Sequence, residues 1–291
     1  MGAFFGPGGN GRAFYADAKR STSEAPQWLR SYGLDAYEYE AGNGLRASET
    51  FLKDLGRRAS EEGIKLSLHA PYFISLSSAE KEKRDKSVEY IHDSVNAAAL
   101  MGADTVVVHP GGCGSFTRGE AMELAKDTLF RYMEKYGTRG IRIGLETMGV
   151  KKQLGTLDEV LELASLGGDL SVTVDFGHIN ARECGGAFST PGDYERVFCT
   201  VAEKLGDDAA KNLHCHFSKI EWSLAGERRH LTFSDDGFGP SFEPFCEAIY
   251  RLRVSPTVIC ESAGTQAEDA LTMKRYYLDF FKGGEIYDIE T

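Results

Sequence analysis

A short run rich in β-branched, leucine or aromatic residues, followed by an amphipathic stretch, recurs eight times along the chain. The runs are Gly2–Phe5, Ala36–Glu40, Lys65–Ala70, Thr105–Pro110, Arg142–Thr147, Ser171–Phe176, Leu213–Ser218 and Thr257–Ser262. Their composition is that of parallel strands buried on both faces. Between them, apolar residues fall at helical spacing. Val88, Ile91, Val95 and Ala98 form one stripe, Leu124, Ala125, Leu129 and Met133 a second, and Thr156, Leu157, Val160, Leu161 and Ala164 a third. Strand–helix alternation implies βα units on a parallel sheet. Eight units predict an α/β fold closed into a (β/α)8 TIM barrel. The alternative is an open doubly wound sheet, but Gly6-Pro7-Gly8-Gly9 after the first strand is turn-rich and is not GxGxxG. The chain has 291 residues. Residues 1–291 are expected to form a single barrel domain, because barrels of roughly 250 residues fold as one unit.

The charge balance, 33 Lys+Arg against 44 Asp+Glu for a net −11, argues against wrapping nucleic acid by bulk charge. It leaves room for a local basic face, and metal ions reverse the sign inside a site. No apolar run approaches the roughly 20 residues that span a bilayer, and the N-terminus lacks the basic region of a signal peptide. The six cysteines are scattered without a CxxC pair. This fits free thiols in a cytoplasmic protein. Neither a membrane nor an obligate protein partner is expected.

The histidines are placed unevenly. Of seven, six stand at or just beyond the C-terminal ends of the predicted strands: His69, His109, His178, His214, His216 and His230. His92 alone falls within a helical pattern. Carboxylates do the same: Glu146 ends the fifth run, Asp175 the sixth and Glu261 the eighth. A charge at the end of an apolar run is expensive to bury unless it is paired or binds metal. In a barrel these positions converge on the mouth that carries active sites. Any one of them has a structural reading, as a hydrogen-bonded histidine or a helix cap. So many such coincidences on six strands are improbable together. Imidazole and carboxylate ligands without thiolates suit zinc, or manganese, in a catalytic site. Asp175-Phe176-Gly177-His178 reads as a strand end, a tight turn at Gly177 and a histidine returned to the mouth. His214 and His216, two apart on a strand, both face the barrel interior.

These segments, SLHAPY (67–72), VVHPGG (107–112), GLET (144–147), DFGH (175–178), LHCHFSK (213–219), GERRH (226–230) and CES (260–262), taken in order, resemble endonuclease IV. That family of zinc-dependent apurinic/apyrimidinic-site nucleases lies within the xylose-isomerase-like barrel superfamily. The resemblance runs from about Leu66 to Gly264. It implies three zinc ions. His69 and His109 would bind one, and Glu146 would bridge it to a second held by Asp175, Glu261 and His214. His178 and His230 would hold the third. The sequence departs from the family in three places. Glu227-Arg228-Arg229-His230 stands where an Asp-x-His pair is usual, so Glu227 would replace the aspartate at a spacing one residue longer. His216-Phe217 stands where Asn-Asp is usual. The N-terminal segment and the DNA-reading loop after the second strand are unrecognisable.

The favoured activity is therefore a phosphodiesterase that cuts DNA at abasic sites. Two or three Zn2+ ions, or Mn2+, would activate a water for in-line attack and stabilise the departing oxygen. Glu146 and Glu261 are the expected catalytic carboxylates. Tyr72, His216, Lys219 and Arg229 are the expected substrate contacts, and an abasic nucleotide would turn out into the mouth. Arg182 and Arg228 also lie near mouth loops. The alternative is a divalent-metal-dependent sugar isomerase or epimerase acting on a small sugar. It needs only Glu146, Asp175, a seventh-strand histidine and Glu261 around one ion, with a carboxylate moving a proton beside a carbonyl.

Overall fold

A computed structural model describes residues 2–16 and 20–284. Among the described residues ten strands are formed: β1 Phe4–Pro7, β2 Ala36–Glu40, β3 Lys65–His69, β4 Thr105–Val108, β5 Arg142–Glu146, β6 Leu170–Asp175, β7 His214–Phe217, β8 Ile220–Ser223, β9 Gly226–His230 and β10 Thr257–Cys260. Eight lie in one parallel sheet in the order β1-β10-β7-β6-β5-β4-β3-β2. The ends of that sheet meet. Gly8 forms a parallel bridge with Glu38, and the Asp35 amide donates to the Phe5 carbonyl at 2.9 Å. The result is a nearly closed TIM barrel, as the alternation predicts. The seam is tight: a Cβ on Gly6 would lie 1.8 Å from the Ala36 carbonyl oxygen, so only glycine fits.

The helices bury the expected faces. On Lys81–Met101, Val88, Ile91, Val95 and Ala98 are all buried. On Arg118–Lys135 the stripe is rotated from the expected one. Ala121, Met122, Ala125, Leu129 and Tyr132 face the sheet, while Leu124 and Met133 are half-buried. Thr156 is the N-cap of Leu157–Ala164, with Glu159 completing a capping box.

Three local features differ from expectation. The first strand begins two residues later than predicted and runs through Gly6-Pro7, because the pairing at its C-terminal end closes the barrel. Asp175 leads directly into the helix Phe176–Arg182 and caps it, its Oδ1 accepting from the His178 amide at 2.7 Å. Gly177 is needed there for closeness rather than for a turn, since a Cβ would lie 2.5 Å from the Ser218 carbonyl oxygen. Finally, β8 and β9 form an antiparallel hairpin on the rim, outside the barrel sheet. The GERRH segment is its second strand.

Candidate metal centre

Parallel register decides which side chains meet. Glu40 pairs with His69 across β2 and β3, and Asp175 pairs with His216 across β6 and β7. Six imidazoles and six carboxylates result at and below the mouth. His69, His109, His178, His214, His216 and His230 face Glu38, Glu40, Glu146, Asp175, Glu227 and Glu261.

Glu146 is the hub. Its Oε2 lies 2.9 Å from His109 Nε2 and 3.4 Å from His69 Nε2. Its Oε1 lies 2.9 Å from His216 Nδ1 and 3.5 Å from His178 Nδ1. Among the arrangements of ligand atoms, each within 4.8 Å of one another, that could hold an ion are Glu38, His214 and His216; His69, His109 and Glu146; Glu146, Asp175, His216 and Glu261; and His178, Glu227 and His230. In the last, His178 Nε2 is 3.3 Å from Glu227 Oε2, and His230 Nε2 is 3.6 Å from Glu227 Oε1. The outward ring nitrogens are already anchored. His69 Nδ1 is 2.9 Å from the Ala70 carbonyl, His178 Nδ1 is 2.8 Å from the Thr147 carbonyl, and His230 Nδ1 is 2.9 Å from Ser218 Oγ. Such anchors fix tautomer and ring orientation in metal sites.

The protein alone leaves this site unsatisfied. Glu146 Oε2 and Asp175 Oδ2 are buried without a hydrogen-bond partner. Burial pushes Asp175 up to about 6, against the pull of His178. Burial likewise pushes Glu40 to about 8, although His69 opposes it. At His69 burial favours the neutral ring, yet Glu40 and Glu146 outweigh it and raise the ring to about 10. Glu261 is held down to about 2 by His216, against burial. The His69, His178 and His216 rings are thus driven to carry protons that supply missing positive charge. Divalent cations would supply it instead, and the donor set fits them.

Two residues stand differently from expectation. The sequence expectation grouped His214 with Asp175 and Glu261 and left His216 for substrate; the geometry brings His216 to the carboxylates. His214 pairs in register with Thr173, one inward-facing position deeper. Its Nε2 lies 2.8 Å from Glu38 Oε2. Burial lowers its pKa, despite Glu38. The expected substrate contacts also separate. Tyr72 stands exposed at the mouth, its ring stacked on His109 at 5.8 Å. Gly42 makes room for it, since a Cβ there would lie 2.1 Å from the ring. Lys219 instead straps the following loop, its Nζ donating to the Phe233 carbonyl at 2.8 Å and the Asp235 carbonyl at 2.7 Å. Arg229 is exposed and pairs with Glu221 at 2.6 Å, beside Arg228 on the same carboxylate. Buried Arg182 donates to the Met148 and Val150 carbonyls, a loop-holding role.

Sequence reasoning passed over Glu38 and Glu40. The signal was present: Ala36-Tyr37-Glu38-Tyr39-Glu40 alternates, which puts both carboxylates on one strand face. Glu40, Tyr72, His230, Glu261 and Gln266 line a mouth cavity of about 260 Å³. A second cavity of about 380 Å³ adjoins it through His230 and Ala263 and is lined by Arg12, Arg229, Thr232 and Thr265.

The profile of the xylose isomerase-like TIM barrel family matches residues 26–277. An uncharacterized protein of Methanocaldococcus jannaschii is 31% identical over 252 residues, covering 85% of this chain and 89% of that one. A probable endonuclease 4 of Acholeplasma laidlawii is 28% identical over 185 residues, 62% of this chain and 61% of that protein. Among solved structures, endonuclease IV from Thermus thermophilus has a TM-score of 0.68 at 18% identity, covering 95% of this chain and 99% of that one. A D-tagatose 3-epimerase-like protein has a TM-score of 0.67 at 22% identity, covering 89% and 93%. Both structural likenesses concern the fold alone. Among the described residues no helix is long and apolar enough to cross a membrane.

Proposed function

The chain belongs to the xylose isomerase-like TIM barrel family, and within it we propose a metal-dependent phosphodiesterase of the endonuclease IV kind, acting on DNA at abasic sites. The carrying observation is that Glu146 joins more than one group of ligand atoms. His69 and His109 sit on one carboxylate oxygen and His216 on the other, with His178, Glu227 and His230 beyond. A single-ion site has no need of the groups on both flanks. The likeness to endonuclease 4 proteins points the same way.

On this reading His69, His109 and Glu146 hold one ion, Glu146, Asp175, His216 and Glu261 a second, and His178, Glu227 and His230 a third, with zinc or manganese suiting the donors. Bound there, divalent ions supply an acidified water and positive charge for the phosphate oxygens. The chain's own residues do the rest. Glu146, buried at the centre, orients the attacking group toward the phosphorus. Tyr72, exposed over His109, offers a ring face to a nucleotide at the mouth. The cavity bounded by Glu40, Tyr72 and Glu261 receives the extruded sugar, and the Arg12–Arg229 cavity beside it takes the adjoining strand.

A second reading has its own support. Glu146, Asp175, His216 and Glu261 alone form a four-residue group of the size a one-ion sugar epimerase needs, and epimerases share the fold. His109 separates the two. As a ligand in the nuclease, His109→Ala loses about one ion and nearly all nicking of a duplex with one abasic site. In an epimerase the same change leaves metal content unaltered. A wild type with one ion and no nicking would move the assignment to the epimerase.

A further inference from the structure

The mouth cavity contains unsatisfied polar atoms. Glu40, Tyr72, His230, Glu261 and Gln266 line it, together with the backbone at Gly8. Among the described residues, Glu40 Oε1 and Gln266 Oε1 are both buried without a hydrogen-bond partner. Buried polar atoms are nearly always paired, so two orphaned ones in one cavity point to a ligand that pairs with them. The other Glu40 oxygen is already held, Oε2 accepting from the Tyr72 hydroxyl at 3.4 Å.

The glycine-rich segment after β1 fixes where those atoms stand. Gly8 bridges β2 at Glu38, and a Cβ on Gly8 would lie 3.1 Å from Glu40 Oε1. One on Gly9 would lie 2.9 Å from Glu40 Cγ, and one on Gly11 2.7 Å from Gln266 Oε1. Bare backbone thus passes close against both side chains, and each is set in place before a ligand arrives.

Loss of a base leaves a hydroxyl on C1′ of the closed deoxyribose ring. An intact nucleotide carries its base there and has no donor on that carbon. We propose that Glu40, through Oε1 and with Gln266 beside it in the cavity, hydrogen-bonds the C1′ hydroxyl of an extruded abasic deoxyribose and so determines lesion specificity. The proposal rests on the nuclease reading and names the group that the site recognises. A hydroxyl both donates and accepts, so it pairs with the carboxyl in either protonation state. His230 and Glu261 line the same cavity, so a sugar seated there lies beside two of the proposed metal ligands. A site built to pair with a hydroxyl rejects an analogue that lacks it, because its own buried groups are then left unpaired. A free ketose offers the same hydroxyl chemistry, and substrates that differ at C1′ alone within a duplex separate the two sources.

The test uses the full chain loaded with Zn2+ and two duplexes. One carries a natural abasic site, the other a tetrahydrofuran analogue that lacks only the C1′ hydroxyl. Wild type should cleave the natural site with a kcat/KM about 10–100-fold above that for the analogue. Glu40→Met removes the acceptor and keeps an unbranched side chain, and it should bring the ratio close to one, with most of the loss on the natural site. A wild type that cleaves both duplexes equally, or a Glu40→Met variant that keeps the wild-type ratio, overturns the inference and leaves the nuclease reading standing. A wild type that nicks neither duplex, whether or not it epimerises a free ketose, overturns the nuclease reading and this inference with it. Should Glu40→Met fail to fold, the wild-type ratio decides alone.

Discussion

The inner ligands stand on the barrel, whereas the outer group stands on pieces attached to its rim. His69, Glu146 and Asp175 end β3, β5 and β6, and His216 lies within β7, with side chains 0–3% exposed; His109 and Glu261, one residue beyond β4 and β10, are each 16% exposed. His178 rides on the short rim helix, and Glu227 and His230 on the β8–β9 hairpin, with exposures of 17% and 26%. Strand ladders fix the inner residues before any ion arrives, so their ordering cost is met by folding itself. The hairpin, outside the barrel sheet, must be held by other contacts. Gly226 supplies one: its backbone bridges Val150, and a Cβ there would lie 2.2 Å from the Gly149 carbonyl oxygen. The inner pair should therefore bind first and tightest, and the outer group last.

The change expected to break this picture most severely is at the shared residue. Glu146→Gln removes one of the charges that offset the ions and should cut phosphodiester cleavage on the order of 10³-fold, with metal content reduced and circular dichroism unchanged. An active variant with full metal content would show that Glu146 is not the hub.

His230→Ala sharpens the contrast. It should remove the outermost ion while the inner pair keeps wild-type affinity, read by metal titration. The loss in cleavage should reach at least the roughly 10–100-fold that an outer-shell partner costs. Equal weakening of all ions would erase the distinction between barrel and rim.

The pH dependence follows from the inner cluster. In the metal-free protein Glu40 and Glu146 raise His69 to about 10, against burial, above its ordinary value of 6.5. The folded chain then holds a proton there that the unfolded chain releases. That contribution to stability is full below pH 6.5 and is lost as pH rises through about 10. Ions displace such protons, so their binding strengthens over the same range. Differential scanning with and without Zn2+ should show a melting-temperature gain that widens from pH 6.5 upward. A gain that shrinks would contradict the sign.

The smallest effect lies at the surface. Arg229→Ala breaks an exposed pair with Glu221 and should change stability by less than about 1 kcal/mol. If the adjoining cavity tracks DNA, binding weakens modestly and the salt slope falls by about one.

Much of this was legible because one physical rule governed it: apolar strand runs ending in His, Glu or Asp place those groups at the barrel mouth. Glu146, Asp175, His69 and His109 follow from that rule alone. Choosing between His214 and His216 required the β6–β7 register, which a motif match cannot give, since both residues face inward. Glu38 and Glu40 were hidden because their strand reads as half-polar, although alternation put them on the interior face. The hairpin was missed because GERRH is too charged to announce a strand; its pairing, not its composition, makes it one. Lys219 looked like a phosphate contact, but position near a mouth does not tell that its ammonium is drawn to the loop carbonyls beneath it.

The central claim is best tested by incubating the Zn2+-loaded wild-type chain with a duplex carrying one abasic site and with its undamaged counterpart. The account predicts a nick at the abasic site, none in the intact duplex, and loss of nicking when chelator strips the ions. A fully loaded protein that leaves the abasic duplex whole, yet epimerises a ketose, would contradict it.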